Sequence, residues 1–399
     1  MTTSTLGLAD IIRRHGAALL ARQGAALTQA QRKALRDVAA CRTAALGGQL
    51  WQCGACGLRH AVYHSCRNRH CPRCQAQSRA RWLEQQQANL LPVEYFHVVF
   101  TLPEEVARVA LVNPATIYGL LFQATRQTLI EVAADPKHLG ALPGMLLVLH
   151  TWGQTLSHHP HLHCVVSGGG LSCDARGEVD EQPCWRSCRP GFFLPVKVLS
   201  RKFRGKFLAL LREAFVAGRL LWQAWPDEAA LARWLQPLYA KEWVVYAKEP
   251  FGGPQQVLKY LARYTHRVAI SDSRLRELSE DGQVTFAYKD YRRPQVQRQM
   301  TLAAEEFLRR WLWHVLPRGF VKVRHYGLLA NRCRQEYLAV CRRLLIGAKV
   351  PKPSPCEPIE AVREVERCCP HCGSSMQACL GEIAAEDGRK VRQACGDTS

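Results

Sequence analysis

The sequence predicts an α+β fold, and three of its features support that prediction. Between residues 92 and about 290, short stretches rich in β-branched and aromatic residues alternate with stretches of helical periodicity. A Cys- and His-rich segment precedes this region, and a basic segment of helical periodicity follows it. The alternation by itself suits an α+β or an α/β core, so the choice between the two depends on the motifs.

The two amino-terminal segments differ in composition. Residues 1–48 place apolar and basic side chains at three- and four-residue intervals, which predicts a helical lead-in. Residues 49–91 are rich in Cys, His and turn-forming residues and contain no long apolar run. Because such a segment is too small to fold on its own core, we predict that it is a zinc-binding domain.

The predicted core, residues 92–290, contains apolar or alternating stretches that are typical of strands: EYFHVVFTLP, MLLVLHTW, HLHCVVSGG and WVVYAKEP. The glycines at 168–170 predict a turn after the third of these strands. Residues 301–345 return to helical periodicity with many basic side chains, and we therefore predict that residues 291–348 form a basic helical DNA-binding region. Residues 349–399 begin with the Pro-rich KVPKPSPCEP, which indicates a linker followed by a Cys-rich tail.

The charge of the chain favours a polyanionic partner. The chain carries 54 Lys and Arg residues against 33 Asp and Glu residues, which gives a formal net charge of +21. The excess of Lys and Arg is spread over several segments that also contain Trp and Tyr, instead of forming the single stripe of a membrane-surface helix. Nucleic acid is therefore the predicted partner. No signal peptide and no apolar run of about 18 residues is present, and we therefore expect a cytoplasmic protein.

Eighteen cysteines in a chain without a secretion signal favour metal ligation over disulfides. Cys53-x2-Cys56 is followed, after fourteen intervening residues, by Cys71-x2-Cys74. Because each pair can place two thiolates on one tetrahedral ion, the spacing predicts a structural zinc site with these four ligands. Cys66 is the first substitute for one of them. A later pair, Cys369 and Cys372, suits a second zinc site with Cys379 and Cys395 or an unliganded tail equally well.

The segment HHPHLHCVVSGGG, residues 158–170, predicts a strand that carries a pair of histidines. Residues two apart in a strand share a face, so His161 and His163 lie side by side while Leu162 faces the other way. His159 has the same parity beyond Pro160 and is an auxiliary candidate. In isolation, the pair suits a metal site or a solvated strand end equally well.

A helix predicted to open at Gly252-Gly253-Pro254 contains the sequence KYLARYTHR. Tyr260 and Tyr264 are four residues apart and therefore neighbours on one helical face. The two tyrosines could either pack the helix on a sheet or present both hydroxyls to one reaction site. Beside them, Lys259, Arg263 and Arg267 are candidate phosphate contacts. A divalent ion held by the histidines could polarise a phosphate, and a tyrosine hydroxyl could attack it to leave a covalent intermediate.

These motifs together resemble the two-tyrosine HUH transposases of rolling-circle insertion sequences. The resemblance rests on HPHLHCVV, on KYLARYTHRVAIS about a hundred residues later, and on the preceding YFHVVFTLP and CGACG…SCRNRHCPRCQ. HUH denotes a His, a bulky hydrophobic residue and a His, here residues 161–163. The resemblance covers the chain from about residue 10 to 345.

The resemblance implies a zinc-binding amino-terminal domain and an HUH-nuclease fold, in which helices flank a central antiparallel sheet, and it thereby selects the α+β class. It implies nicking and rejoining of single-stranded DNA at element ends through a 5′-phosphotyrosine link, with Mg²⁺ or Mn²⁺ at the histidines. Tyr260 and Tyr264 would be the nucleophiles, in an order that the sequence does not fix. His159, Gln154, His150 and His266 are the candidates for the third metal ligand.

Two other functions are compatible with the same residues. A plasmid rolling-circle replication initiator would use the same chemistry at an origin instead of at element ends. A zinc-dependent DNA-binding regulator without catalytic activity would use only the cysteines and the basic segments. The sequence carries no signature of a particular oligomeric state.

Overall fold

The structure is a computed structural model of the chain. It describes residues 6–74, 82, 86–251, 256–257, 268–290, 295–346, 368–374 and 378–386. The chain divides into two compact units, each built from separate stretches of sequence. Unit 1 comprises Met1–Ala80, Val268–Val315 and Glu357–Ser399, and unit 2 comprises Arg81–Arg267 and Leu316–Cys356. This division differs from the consecutive segments that the sequence predicts, because the tail and a middle segment join the amino-terminal region.

The helices and strands follow one another along the described parts of the chain. The helices are α1 (Leu8–Gln23), α2 (Gln29–Ala39), α3 (Glu104–Val112), α4 (Pro114–Ala134), α5 (Val196–Val216), α6 (Glu228–Ala240), α7 (Ala304–Leu312) and α8 (Arg334–Ile346). The strands are β1 (Gly48–Gln52), β2 (Arg59–Tyr63), β3 (Tyr95–Thr101), β4 (Ala141–Trp152), β5 (His158–Ser172), β6 (Trp185–Ser187), β7 (Val245–Phe251), β8 (Leu275–Leu278), β9 (Gln283–Lys289), β10 (Gln297–Ala303), β11 (Val323–Gly327) and β12 (Ala378–Ile383).

Unit 1 combines helices with two small antiparallel sheets. The first sheet has the order β12-β1-β2 and the second the order β10-β9-β8. Helix α2 begins with a capping box, in which the Thr28 hydroxyl accepts from the Gln31 backbone N–H and the Gln31 side chain accepts from the Thr28 N–H. Strand β9 and helix α7 pack through an edge-to-face contact between Phe286 and Phe307, with ring centroids 5.7 Å apart.

Unit 2 is organised around one antiparallel sheet of the order β11-β4-β5-β3-β7, with β6 paired to β5. One face packs on α3, α4, α5 and α6 through side chains such as Phe100, Leu162 and Phe203. The other face packs on α8 through Val148, Val165 and neighbouring apolar side chains. Because both faces are covered, β4 is buried over almost its whole length, which explains its continuous apolar sequence.

The structure confirms the predicted α+β class, with antiparallel sheets and flanking helices. Helices α4 and α5 are the longest in the described part of the chain, at 21 residues each. Among the described helices, none combines the length and the apolar character that crossing a bilayer requires.

Two local predictions are wrong. The glycines at 168–170 do not form a turn, because they lie inside β5. A Cβ at Gly170 would stand 2.1 Å from the Leu142 carbonyl oxygen, so the glycine is needed for a close approach of two strands. Two stretches of the predicted helical region are strands instead: residues 297–303 form β10, and residues 323–327 form the edge strand β11 of the unit 2 sheet. Stretches of five and seven residues are too short for periodicity to distinguish a strand from a helix.

Candidate functional site

Three histidines converge on one point of the unit 2 sheet. His161 and His163 alternate with core residues along β5, and His150 stands opposite His161 in the register of β4. The ligand atoms of these three side chains all lie within 4.8 Å of one another. The structure thus places the predicted pair together and, among the described candidates for a third ligand, brings His150 to them. Three imidazoles at such spacing are a set that a divalent ion can bind.

Hydrogen bonds orient the imidazole of His161 for ligation. Its Nδ1 lies 2.6 Å from the carbonyl oxygen of His159, and because a carbonyl only accepts, Nδ1 carries the proton. Its Nε2 therefore presents a lone pair, at a distance of 3.1 Å from the Nε2 of His163. A second lone pair on His163 at this distance would be repulsive without a cation between the two nitrogens.

His97 on β3 lies beside this cluster, although the sequence did not point to it. Its ring stacks on that of His163, with centroids 5.2 Å apart, and its Nε2 lies 2.9 Å from the His163 Nδ1. Burial, with contributions from Lys248 and His161, lowers the pKa of His97 to about 4. The Nε2 of a neutral His97 can accept a hydrogen bond from the His163 Nδ1–H, and in that tautomer the His163 Nε2 would present its lone pair to a metal ion.

The other predicted ligands lie elsewhere. His159 supplies its carbonyl oxygen to His161, and its ring is not a member of the three-histidine cluster. Gln154 lies in the turn between β4 and β5, and His266 falls outside the described residues. His158 faces the helical side of the sheet, where its Nδ1 donates to the Ala107 carbonyl and its Nε2 accepts from the Tyr118 hydroxyl at 2.8 Å.

The predicted nucleophiles Tyr260 and Tyr264, together with Lys259, Arg263 and Arg267, fall outside the described residues. Val257, shortly before them, is helical and fully buried. It belongs to the apolar cluster that contains Val148 and Val165, which lie two residues from His150 and His163 and therefore on the same face of β4 and β5. The start of the predicted tyrosine helix therefore packs on the same sheet face as the histidine cluster.

The first cysteine cluster in unit 1 joins Cys41, Cys66, Cys71 and Cys74. The Sγ atom of Cys74 lies 3.6 Å from those of Cys41 and Cys66, and Cys71 lies 3.6 Å from Cys41. Tetrahedral zinc with Zn–S bonds of about 2.3 Å separates its sulfurs by about 3.8 Å, so these distances fit the ion. Contacts with Cys41, Cys66 and Cys71 lower the pKa of Cys74, whereas contacts within the same cluster raise the pKa of Cys66 and Cys71.

The second cysteine cluster joins Cys53 and Cys56 to Cys369 and Cys372 of the tail. The Sγ atoms of Cys53 and Cys372 lie 3.5 Å apart, and those of Cys56 and Cys369 lie 3.6 Å apart. These separations also suit a tetrahedral ion.

The predicted single zinc site is corrected by this arrangement. Cys53 and Cys56 belong to one cluster, whereas Cys71 and Cys74 belong to the other, in which Cys66 is a full member. The tail cysteines do not meet Cys379, which lies in β12. A Cys-x2-Cys spacing identifies half of a site, and only the pairing of β12 with β1 brings the distant half to it.

The fold and its sites define a metal-binding α+β protein, with a histidine centre on a sheet and cysteine clusters that fit structural zinc. A family model described as "Putative transposase" matches residues 144–336, and one described as "Transposase zinc-binding domain" matches residues 11–102. No solved structure matches the chain.

Two relatives match over most of their length. "Putative transposase y4qJ" of Sinorhizobium fredii is 50% identical over 408 residues, covering 100% of both chains. "Transposase for insertion sequence element IS801" of Pseudomonas savastanoi pv. phaseolicola is 28% identical over 325 residues, covering 79% of this chain and 74% of the relative. The chain therefore belongs to the HUH insertion-sequence transposases with an amino-terminal zinc-binding domain. As a transposase it processes DNA, and the predicted family is confirmed.

Proposed function

We propose that the protein nicks and rejoins single-stranded DNA at the ends of its element through a covalent 5′-phosphotyrosine intermediate, and so drives rolling-circle transposition. The strongest support for this proposal is the position of the three-histidine cluster on the sheet. The three-histidine cluster occupies the sheet face that also buries Val257, three residues before Tyr260. The three-histidine cluster and the start of the predicted tyrosine helix, residues 256–257, thus share one surface.

The donor set fits a catalytic divalent ion, which we propose to be Mg²⁺ or Mn²⁺. His150, His161 and His163 would hold it, and as neutral imidazoles they leave the remaining positions open to phosphate oxygens. The bound ion would polarise the scissile phosphate and stabilise its developing charge. His97 would keep the proton of His163 on Nδ1 and therefore keep its Nε2 available.

Helical periodicity supports the nucleophile assignment. Val257, Tyr260 and Tyr264 are spaced i, i+3 and i+7, so in a continuous helix all three would face the same way. Val257 faces the sheet. We propose that Lys259, Arg263 and Arg267 on this segment contact DNA phosphates, since Arg and Lys are the side chains that bind them.

The reaction conserves the free energy of the cleaved phosphodiester bond in the phosphotyrosine ester. A tyrosine oxygen attacks phosphorus, the bond from phosphorus to the 3′-oxygen breaks, and that oxygen leaves as a 3′-hydroxyl after gaining a proton. The 5′-phosphate stays esterified to tyrosine, so a 3′-hydroxyl at a new site can reverse the step without an external energy source. A second tyrosine would permit a second cleavage while the first remains occupied.

The test combines the purified protein, labelled single-stranded DNA that carries an element end, and Mg²⁺ or Mn²⁺. We expect a protein–DNA adduct that survives denaturation. The same end supplied as a fully paired duplex is the control and should give little adduct. If no divalent ion yields an adduct although the DNA is retained, the enzymatic proposal fails and a DNA-binding regulator becomes the better account.

A further inference from the structure

Two short segments at opposite ends of the sequence adopt the same backbone geometry. Both have the pattern Cys-x2-Cys-Gly, as CGACG at 53–57 and CPHCG at 369–373. In each, the glycine N–H donates to the carbonyl of the first cysteine, at 3.0 Å from Gly57 to Cys53 and 2.9 Å from Gly373 to Cys369. Both glycines have positive φ, +70° and +75°, which a residue with a Cβ rarely adopts.

The backbone holds these two knuckles face to face. Strand β12 follows the second knuckle and pairs antiparallel with β1, which precedes the first. The pairing brings the four sulfurs of the second cysteine cluster together, with Cys53 and Cys369 buried and the other two exposed. Trp51 packs against the two buried cysteines. Matched knuckles with converging sulfurs are the donor arrangement of a zinc site built from four cysteines.

We propose that these four cysteines hold a second zinc ion, distinct from the ion of the first cysteine cluster, and that this ion fastens the carboxy-terminal tail to the amino-terminal segment of unit 1. The ion joins cysteines more than 300 positions apart, so it closes a loop of most of the chain. The tail would thus supply two of the four ligands of a zinc site in the amino-terminal region.

The described residues of the tail, 368–374 and 378–386, have little else to hold them. Cys379, Leu380 and Glu382 of β12 are exposed, and β12 is an edge strand bonded only to β1 in its sheet, as far as the structure describes it. Backbone pairing with so little apolar burial gives marginal stability, whereas a structural zinc ion contributes folding energy directly. Loss of the ion should therefore release β12.

The two zinc sites should differ in how readily they lose metal. In the first cluster, Cys41 and Cys71 are buried and the other two cysteines are half-buried. In the second, Cys56 and Cys372 are exposed. Chelators and thiol reagents reach exposed sulfurs first, so the tail-fastening ion should leave before the other.

The first test is the zinc content of the full-length protein. We expect about two zinc ions per chain in the wild type and about one in Cys372→Ser. Cys379→Ser is the matched control, because it removes a cysteine of the same tail outside the cluster, and it should retain two. Cys372→His should restore two, since imidazole is also a zinc ligand. A wild type with one zinc ion, or a Cys372→Ser protein with two, would overturn the proposal.

The wild type alone provides a second test, should Cys372→Ser fail to fold. Chelator is titrated while hydrogen exchange is followed at the amides of β12. We expect protection of Ala378–Ile383 to disappear with the first equivalent of zinc released. Protection that persists until the second equivalent leaves would contradict the proposal. Neither test uses the histidine centre, so a failure of the DNA adduct assay would leave this inference standing.

Discussion

His97 offers a specific test of how the histidine centre works. Its Nε2 lies 2.9 Å from the His163 Nδ1, and the side chain is only 4% exposed. Replacement by leucine keeps the volume roughly constant but removes the acceptor. In the proposed tautomer, the partly buried Nδ1–H of His163 then loses this acceptor, which costs about 1–3 kcal/mol and favours the tautomer whose Nε2 is protonated. That tautomer cannot bind metal through Nε2.

The expected magnitude follows from this hydrogen bond. A loss of about 1.4–2.7 kcal/mol corresponds to a factor of about 10–100 in metal affinity, the range typical when a group that orients a metal-bound histidine is removed. The Mn²⁺ concentration that gives half-maximal adduct should therefore rise by about 10–100-fold in His97→Leu. DNA retention should stay close to that of the wild type, because it depends mainly on Lys and Arg.

The matched control is His97→Gln, whose side-chain carbonyl can still accept from His163. It should require less Mn²⁺ than His97→Leu for the same adduct yield. If His97→Leu has the metal dependence of the wild type, then His97 does not set the tautomer of His163 and the reasoning is refuted. If leucine and glutamine impair the metal dependence equally, packing rather than hydrogen bonding is the cause.

Three further outcomes are expected. His161→Ala should abolish adduct formation and leave DNA retention largely intact, and equal loss of both would indicate misfolding instead. Tyr260→Phe and Tyr264→Phe should each impair transposition of a marked element, because phenylalanine lacks the attacking oxygen, and wild-type activity in both would refute the assignment. Burial lowers the pKa of His158 from 6.5 to about 4, so its neutral form stabilises the fold above pH 6.5 and this contribution, on the order of 3 kcal/mol, is lost as the pH falls towards 4. Denaturant unfolding between these pH values should therefore show a weaker pH dependence in His158→Gln than in the wild type, and identical pH profiles would contradict the assignment.

Local sequence predicted the histidine pair because strand alternation depends on one strand only. His161 and His163 face the same way whatever strand lies beside them. His150 and His97 join them through the registers of β4 and β3, and strand register depends on the turns and on the distribution of apolar residues over the whole sheet. The sequence therefore offered His150 among several candidates and gave no reason to choose it.

The cysteines illustrate the same limit. The Cys-x2-Cys spacing identified Cys53 with Cys56, and Cys71 with Cys74, as half-sites. Which halves meet is a property of the tertiary structure, since β12 must pair with β1 before the tail cysteines reach Cys53. The fold class was predictable because alternating strands and helices are local features, whereas the division into units built from separate stretches of chain is not.

We propose that one of the two tyrosines after Val257, Tyr260 or Tyr264, becomes covalently joined to DNA during the reaction. The most direct measurement is protease digestion of the Mn²⁺-dependent adduct, followed by mass spectrometry of the peptide that carries the nucleotide. We predict that the 5′-phosphate is attached to Tyr260 or Tyr264. Attachment to any other residue, or an adduct that forms equally well when both tyrosines are replaced by phenylalanine, would contradict the account.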